Sequence, residues 1–397
     1  MSKRSGASDG RPSRAITIGI VAGEASGDAL AAVVINAVRE RVPQVRFVGI
    51  AGPRMQAAGC ESWHSIEVLS VRGLVEVIGR LRGLLALRRD LVRRMRRERV
   101  HLFIGVDAPD FNLGLERRLK RARIRTLHLV SPSVWAWRRE RVPKIARSVD
   151  RLLALFPFEP AIYEGSGLPV SFIGHPLAEH AADATSRREA RERLRLPRSQ
   201  AVVALLPGSR VGELEMHADL LLDTAKLLHA ERPDMHFVVP LGTRATRDRF
   251  ELALAEREHA LPVTVLYGHA TDALQAADVA LVASGTATLE AALARCPHVI
   301  FYRVHSFTAR MLRKRLLLPW VGLPNVLAGR FVVPELLQEN ATPENLAQAL
   351  LNLYDDAVIR PRIETLFAAL GKALKQDTGS LAADAVVQEL GRAGVPC

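Results

Sequence analysis

The stretch ITIGIVAG, residues 16–23, carries no charge and ends in glycine just before a polar, helix-like segment. Five more short runs rich in Val, Ile and Leu follow, each ending near Gly, Pro or Asp: VRFVGIAG (45–52), LFIGVDAP (102–109), RTLHLVSP (125–132), RLLALFP (151–157) and VSFIGHP (170–176). Short apolar runs that alternate with helices are typical of parallel strands buried on both faces. The sequence therefore predicts a doubly wound α/β domain.

A second series of the same kind begins after residues 178–200, AEHAADATSRREARERLRLPRSQ, which are typical of a connecting helix and linker. Its runs are AVVALLPGSR (201–210), HFVVPLG (236–242), VTVLYG (263–268), VALVASG (279–285) and HVIFYRV (298–304). We therefore expect two Rossmann-like domains that face a cleft, with ligands at the carboxyl ends of the strands. The expected boundaries are a disordered basic leader over 1–14, a first domain over 15–180, a linker over 181–200, a second domain over 201–360 and C-terminal helices over 361–397.

The composition favours a polyanionic partner. The chain has 55 Lys and Arg against 42 Asp and Glu, a net charge of +13, which suits nucleic acid, an anionic bilayer surface or phosphorylated substrates. Aromatic residues make up only 5% of the sequence, which disfavours a single-strand nucleic-acid binder because such proteins stack bases on aromatic rings. Three cysteines without a CxxC pattern fit a reducing cytoplasm. No run of about 18 uncharged apolar residues occurs, so we expect any membrane contact to be peripheral.

One helical segment is both basic and amphipathic. GLVEVIGRLRGLLALRRDLVRRMRRERV, residues 73–100, contains nine arginines. Its apolar residues recur at spacings of three, four and seven and fall on one face of a helix: Leu74, Val77, Ile78, Leu81, Leu84, Leu85 and Val92. Packing on a core is the common use of such a face. Nucleic-acid binding and a position on a membrane surface stay open at this point.

Two motifs of the second series suggest a nucleotide-diphosphate site. In LLPGSR, residues Gly208, Ser209 and Arg210 follow a strand directly, so free backbone N–H groups, a hydroxyl and a guanidinium can converge on a diphosphate. Pro-Gly-Ser is also ordinary turn chemistry. The chain has neither a GxGxxG fingerprint nor a Walker lysine at this position, which disfavours a dinucleotide or ATP.

The second motif is ASGTATLEAAL, residues 283–293, a strand end followed by a helix. Ser284, Gly285 and Thr286 leave room for a phosphate at the helix N-terminus, and Glu290 can accept hydrogen bonds from both hydroxyls of a ribose. The alternative is that Thr286 only caps the helix and that Glu290 lies on its surface.

The first series places polar residues after its strands as well. In GVDAPDFN, residues 105–112, Asp107 is placed to take a proton from a substrate hydroxyl, with Asp110 and Asn112 nearby. The two acids are equally plausible as turn formers around Pro109.

Three further segments are candidate sugar or acyl contacts. GEASGD, residues 23–28, supplies Glu24, Ser26, Gly27 and Asp28 as candidate sugar-hydroxyl binders. Trp135 and Trp137 of SPSVWAWR offer aromatic faces for stacking, with core packing as the alternative. His175 of IGHP is either a ligand contact or a polar hinge residue. No spacing of His, Cys and Asp suggests a metal, and there is no DxD triplet.

Taken together in their order and spacing, these motifs resemble the lipid-A-disaccharide synthase family. The resemblance covers roughly residues 15 to 390 and rests on VAGEASGD, FVGIAGPRM, GVDAPDFN, SPSVWAWR, FPFE, IGHP, LLPGSR with ELEM, VALVASGTATLE and LPNVLAGR. It implies a GT-B glycosyltransferase that joins UDP-2,3-diacylglucosamine to 2,3-diacylglucosamine 1-phosphate (lipid X) with inversion, giving the β-1,6 disaccharide and UDP. It implies no metal and no cofactor.

The resemblance also implies roles for individual residues. Asp107 matches the proposed general base, and Arg210 and Glu290 match positions for the diphosphate and ribose. Glu213 of ELEM and Asn325 of LPNVLAGR join the donor side. The implied acceptor side comprises Glu24, Ser26, Gly27, Asp28, Asp110, Asn112, Trp135 and His175. The C-terminal helices are expected to pack back on the first domain or to be exchanged between the subunits of a homodimer.

Because both implied substrates carry acyl chains, we expect residues 74 to 88 to dock peripherally on the anionic, cytoplasmic face of the inner membrane. The expected contacts are Leu74, Val77, Arg80, Leu81, Arg82, Leu84, Leu85 and Arg88. Two other functions remain: a UDP-sugar epimerase or hydrolase of the same fold, and a basic nucleic-acid-binding protein. The two donor-site motifs disfavour the latter, so we expect no nucleic-acid partner.

Overall fold

The computed structural model describes residues 16–69, 74–180, 186–257, 261–304 and 317–395, and for residues 74–81 and 180 it describes the backbone alone. The strands are β1 Thr17–Ala22, β2 Arg46–Ala51, β3 Cys60–Ser65, β4 Leu102–Val106, β5 Arg125–Leu129, β6 Arg151–Ala154, β7 Val170–Phe172, β8 Ala201–Leu206, β9 Met235–Leu241, β10 Val263–Tyr267, β11 Val279–Ala283, β12 His298–Tyr302 and β13 Glu335–Leu337. The predicted leader over 1–14 lies outside the described residues.

The helices are α1 Ala25–Arg41, α2 Pro53–Ala57, α3 Leu74–Arg97, α4 Pro109–Arg121, α5 Val134–Trp137, α6 Val142–Ser148, α7 Glu159–Ile162, α8 Pro176–His180, α9 Arg187–Leu194, α10 Val211–Glu231, α11 Arg244–Ala255, α12 Ala270–Ala276, α13 Thr286–Leu293, α14 Leu323–Ala328, α15 Pro343–Asp355, α16 Ile359–Leu374 and α17 Thr378–Arg392. Short 3-10 turns cover Ile66–Val68, Arg139–Arg141 and Gln338–Asn340.

The chain forms two compact units. The first contains the residues up to Pro132, Glu140–Ile173 and the residues from Asp377 onward, and the second contains Ser133–Arg139 and Gly174–Gln376. These limits differ from the boundaries at 180 and 360 expected from the sequence. The difference arises because α9 and α16 bury apolar side chains, Ala190 and Phe367 among them, in the cores of the second unit.

The first unit is built on a seven-stranded parallel sheet in the order β3-β2-β1-β4-β5-β6-β7. Alternate side chains of a strand enter cores on opposite faces, as a doubly wound sheet requires. On β4, Ile104 packs in the core that includes α1, whereas Phe103 packs with Leu91 and Met95 of α3. Every strand of this sheet except β3 follows from an apolar run in the sequence.

The last helix belongs to the first unit. Ala382, Val386 and Leu390 of α17 are buried in the same core as α1, and the fully buried carboxylate of Glu389 pairs with Arg125 at the start of β5. Burial of this apolar face, at roughly 25 cal/mol per Å², attaches the helix to the sheet.

The second unit is built on a six-stranded parallel sheet in the order β10-β9-β8-β11-β12-β13. In both sheets the strand order reverses direction beside the first strand of the series, between β1 and β4 and between β8 and β11. Ligands of doubly wound sheets bind beyond the carboxyl ends of the strands at such a switch point. Each unit therefore has one candidate site, at the loops that follow these strands.

Candidate functional site

The loops at the switch point of the first unit are the predicted GEASGD and GVDAPDFN segments. They follow β1 and β4, which pair in parallel from Ile18 with Leu102 to Ala22 with Val106. A Cβ atom on Gly23 would overlap the Cβ of Ala108. Glycine at position 23 therefore allows the two loops to touch, and the structure brings these two predicted segments together.

Asp107 lies at the end of β4 in an unusual backbone conformation. Its φ is +50° and that of Ala108 is +44°, a left-handed pair that costs roughly 1–2 kcal/mol per non-glycine residue. Its backbone N–H donates to the Leu129 carbonyl at 2.9 Å. Asp107 is half-buried, and among the described residues its carboxylate has no hydrogen-bond or ion-pair partner. Aspartate tolerates left-handed backbone and is common in turns for that reason, so it is the carboxylate without a partner among the described residues that favours a functional role.

The residues of the GEASGD loop differ in their accessibility. Glu24 and Ser26 are exposed where α1 begins. Gly27 is buried, and a Cβ there would lie 3.6 Å from Val106. Asp28 is 3% exposed, and its carboxylate accepts hydrogen bonds from the backbone N–H groups of Arg54 and Met55 at 2.9 and 3.1 Å. Asp28 therefore caps α2, a structural role that the sequence did not indicate.

The other two polar residues of GVDAPDFN also have partners within the chain. Asp110 is exposed and pairs with Arg141 at 2.8 Å. Asn112 is fully buried, and its amide nitrogen lies 2.8 Å from the carbonyl oxygen of Asp107. Because Asn112 is fully buried, it is better suited to holding the loop than to contacting a ligand.

Trp135 and His175 fall in the second unit, although we expected both on the acceptor side of the first domain. Trp135 is half-buried on the short helix α5. His175 is 8% exposed, and its Nδ1 accepts a hydrogen bond from the backbone N–H of Leu177 at 3.2 Å. Burial lowers the pKa of His175 to about 4, so the ring is neutral at neutral pH.

The LLPGSR loop follows β8 at the switch point of the second unit. Gly208 has a φ of +120°, and a Cβ there would lie 2.5 Å from a carboxylate oxygen of Glu213. That oxygen accepts hydrogen bonds from the backbone N–H groups of Ser209 and Arg210, at 2.8 and 3.2 Å. The N–H groups that we expected to be free for a diphosphate therefore already have an internal anion as a partner.

A residue that sequence reasoning missed holds the same loop. His217 of α10 is fully buried, with Nδ1 2.7 Å from the Pro207 carbonyl oxygen and Nε2 3.1 Å from the Arg303 backbone. It thereby links the loop after β8 to the end of β12. A histidine in a helix of mixed apolar and charged residues gives no signal of such a role in the sequence.

The second donor motif follows β11, which neighbours β8. Gly285 adopts a φ of +150° before α13, and Ser284 donates its backbone N–H to the Phe301 carbonyl at 2.9 Å. Thr286 is exposed, whereas Glu290 is half-buried. Burial raises the pKa of Glu290, and its carboxylate has no hydrogen-bond or ion-pair partner among the described residues. These features fit a ligand-binding carboxylate better than a solvated surface group.

Asn325 is buried beneath this motif rather than open to it. It is fully buried, and its amide donates to the Val333 carbonyl and to Glu335 at 2.9 and 2.8 Å. Its oxygen accepts from the N–H groups of Val332 and Val333. All of its hydrogen-bonding groups are occupied, so the structure favours a role in shaping the loop.

Helix α3 carries the predicted membrane contacts, of which the side chains of Leu74, Val77, Arg80 and Leu81 lie outside the described residues. Arg82 is exposed and Leu85 half-buried. Leu84 packs partly against the core of the first unit. Arg88 donates to the Asp110 carbonyl at 3.1 Å and lies over the Phe111 ring at 5.0 Å, so it contacts α4 and is not a free cation.

No helix in the described ranges is long and apolar enough to cross a bilayer. No group of three or more His, Cys, Asp or Glu residues in these ranges could hold a metal ion.

Solved structures with the same fold include both transferases and epimerases. The glycosyltransferase of kitacinnamycin superposes with a TM-score of 0.64 at 16% identity, covering 95% of this chain and 99% of the other. The UDP-GlcNAc 2-epimerase from Neisseria meningitidis superposes with a TM-score of 0.57 at 12% identity, covering 95% and 99%. At such identities the likeness establishes the fold alone.

The two Rossmann-like units, each with its polar loops at the switch point, define this protein as a member of the GT-B class. The sequence model of lipid-A-disaccharide synthetase matches residues 18–386. A lipid-A-disaccharide synthase from Dechloromonas aromatica is 52% identical over 376 residues, covering 94% of this chain and 98% of the relative. The chain belongs to the lipid-A-disaccharide synthase family, which confirms the resemblance seen in the sequence, and it is accordingly a glycosyltransferase.

Proposed function

We propose that this enzyme transfers 2,3-diacylglucosamine from its UDP conjugate to the 6-hydroxyl of 2,3-diacylglucosamine 1-phosphate. The products are the β-1,6-linked disaccharide 1-phosphate and UDP. The observation that carries the proposal is membership of the family along nearly the whole chain. A UDP-sugar epimerase has only the shared fold in its favour.

In the proposed reaction Asp107 is the general base. Its carboxylate takes the proton of the acceptor hydroxyl while the oxygen attacks the anomeric carbon of the donor. The bond between that carbon and the diphosphate oxygen breaks, and UDP leaves with the electron pair, so the configuration inverts. The unpaired carboxylate at the end of β4 supports this role, because a base must be free to accept a proton.

The donor is proposed to bind at the switch point of the second unit. Ser209 and Arg210 would contact the diphosphate together with Ser284, Gly285 and Thr286. The unpaired, half-buried carboxylate of Glu290 suits the two hydroxyls of the ribose. Glu213 and Asn325 would act by shaping these loops, because their polar groups already bind backbone N–H groups within the unit.

The acceptor side is proposed to include the exposed Glu24 and Ser26, which neighbour Asp107 through the contact of Gly23 with Ala108. Both substrates carry acyl chains, so the enzyme must work at a bilayer. We expect it on the cytoplasmic face of the inner membrane, with the amino-terminal part of α3 in the headgroup region. The exposed arginine and half-buried leucine at positions 82 and 85 support this expectation.

The test is a two-substrate assay. The protein is incubated with UDP-2,3-diacylglucosamine alone, with 2,3-diacylglucosamine 1-phosphate alone, and with both. UDP release and disaccharide formation only in the third mixture support the proposal. UDP release without the acceptor indicates a hydrolase, and a change of sugar configuration without transfer indicates an epimerase.

A further inference from the structure

Three polar side chains with no part in the proposed reaction lie behind the Asp107 loop. Asn112 and Glu116 belong to α4 and His128 belongs to β5, and all three are fully buried. Polar groups in such a position lower stability unless they are fully hydrogen-bonded. Here the Asn112 Oδ1, the Glu116 Oε2 and the His128 Nε2 have no hydrogen-bond partner among the described residues. The cluster therefore calls for an explanation other than stability.

The loop in front of the cluster adopts a conformation that it would not hold alone. Asp107 and Ala108 both have positive φ, at +50° and +44°, although neither is glycine. Such backbone is retained only where the surroundings determine it, and it is common where a functional group must point in one direction. The hydrogen bond that the Asp107 N–H donates to the Leu129 carbonyl oxygen, 2.9 Å long, holds the loop on one side of Asp107.

The Asn112 amide fixes the other side. Its nitrogen lies 2.8 Å from the Asp107 carbonyl oxygen and 3.3 Å from the carbonyl oxygens of both Val21 and Val106. One NH₂ group therefore lies within hydrogen-bond distance of carbonyl oxygens at the ends of β1 and β4 and of the Asp107 carbonyl oxygen itself. No other side chain among the described residues donates to the Asp107 carbonyl.

The Glu116 and His128 pair fixes the helix that carries Asn112. The Glu116 Oε1 lies 2.7 Å from the His128 Nδ1, which ties α4 to β5. Glu116 is one helical turn beyond Asn112, and both side chains pack closely against Gly105 of β4. A Cβ at Gly105 would overlap the Glu116 carboxyl oxygen and lie 3.1 Å from the Asn112 Cβ. Burial raises the pKa of Glu116.

We propose that Asn112 is a positioning residue that aims the Asp107 carboxylate, with Glu116 and His128 holding Asn112 in register. The inference rests on the proposed role of Asp107 as the base. The three residues touch neither substrate and act only through the loop, so their loss should lower kcat without weakening donor binding.

Two variants and a matched control test this. Asn112→Leu removes the amide. Glu116→Leu combined with His128→Leu removes both partners of the pair, so no new orphaned group is left and the fold should tolerate the change. Thr126→Val is the control, because Thr126 is fully buried on β5 and its hydroxyl bonds Asp150 at 3.1 Å, at the opposite end of the strand from the loop.

We expect kcat to fall by about 10- to 100-fold in both test variants, since small misplacements of a reacting group have effects of that size. UDP affinity by calorimetry should stay close to that of Thr126→Val in both test variants. The melting temperature should stay close to that of the control in the double variant, whereas Asn112→Leu should melt lower because it leaves the Asp107 carbonyl without its side-chain donor. A kcat within threefold of the control overturns the role of the residues changed. The positioning role is also overturned if UDP affinity, or the fraction of folded protein, falls by the same factor as kcat. If Asn112→Leu does not fold, the double variant alone decides.

Asp107→Asn in the same series separates this inference from the proposed function. If Asp107→Asn is active, Asp107 is not the base and the proposed mechanism fails. If Asp107→Asn is inactive while both test variants keep their turnover, only the positioning inference fails.

Discussion

Glu389→Gln should loosen the C-terminal helix from the first unit. The Glu389 carboxylate is fully buried and lies between Arg125, Arg151 and Arg392, with 3.1 Å to the Arg125 Nε, 3.5 Å to the Arg151 Nε and 2.6 Å to Arg392. Removing one partner of a buried ion pair costs about 3–5 kcal/mol. The low end applies here because Arg125 keeps Asp150 at 3.6 Å and the Arg392 side chain is 51% exposed.

A loss of about 3 kcal/mol corresponds to a fall in melting temperature of roughly 6–12 °C for a unit of this size. Hydrogen exchange should show the loss first in α17. The matched control is Asp384→Asn on the same helix, whose pair with Arg41 at 3.0 Å is 55% exposed on the aspartate side and should contribute little. Equal protection of α17 in Glu389→Gln and the control would refute the idea that this buried pair anchors the helix.

Three further predictions concern the donor site and the membrane face. Because burial raises the pKa of Glu290 above its usual 4.5 and two ribose hydroxyls donate more strongly to an ionised carboxylate than to a protonated carboxyl group, UDP affinity by calorimetry should fall as pH drops through that raised pKa. Glu290→Gln should lose this fall in affinity at low pH. A pH profile identical to that of the unchanged enzyme would contradict the assignment of Glu290 to the ribose. Glu213→Ala should weaken UDP binding several-fold in the same assay, because it removes the acceptor that holds the N–H groups of Ser209 and Arg210 and so releases the loop after β8; unchanged or tighter binding would contradict the role of Glu213 in shaping this loop. Leu85→Ser should reduce binding to anionic vesicles at an unchanged melting temperature. Leu84→Ser should lower the melting temperature, because Leu84 packs partly on the core. The reverse pattern would place the membrane face elsewhere.

Most of the fold could be predicted from the sequence because buried parallel strands are apolar throughout. Each apolar run identified in the sequence forms a strand. The strands that were not predicted, Cys60–Ser65 and Glu335–Leu337, lie at the edges of their sheets. Their residues are mostly half-exposed and several are polar, so hydrophobicity gives no signal there.

The candidate site was predicted only in part, because a motif gives a position along the chain but not the partner of a side chain. Among the described residues the carboxylates of Asp107 and Glu290 have no partner, whereas the carboxylate of Asp28 caps a helix 26 residues further along the chain. The positioning role of Asn112 depends on carbonyl groups from two strands. Likewise, no local pattern could pair Glu116 with His128 or link His217 to Arg303.

The central claim is that Asp107 deprotonates the acceptor during glycosyl transfer. The direct measurement is turnover of Asp107→Asn with both lipid substrates saturating, alongside UDP affinity by calorimetry. Asparagine keeps the shape but accepts no proton, so turnover should fall by about 10²- to 10⁴-fold while UDP binds as in the unmodified enzyme. Near-normal turnover would contradict the account and move the base elsewhere, with Asp110 the next candidate.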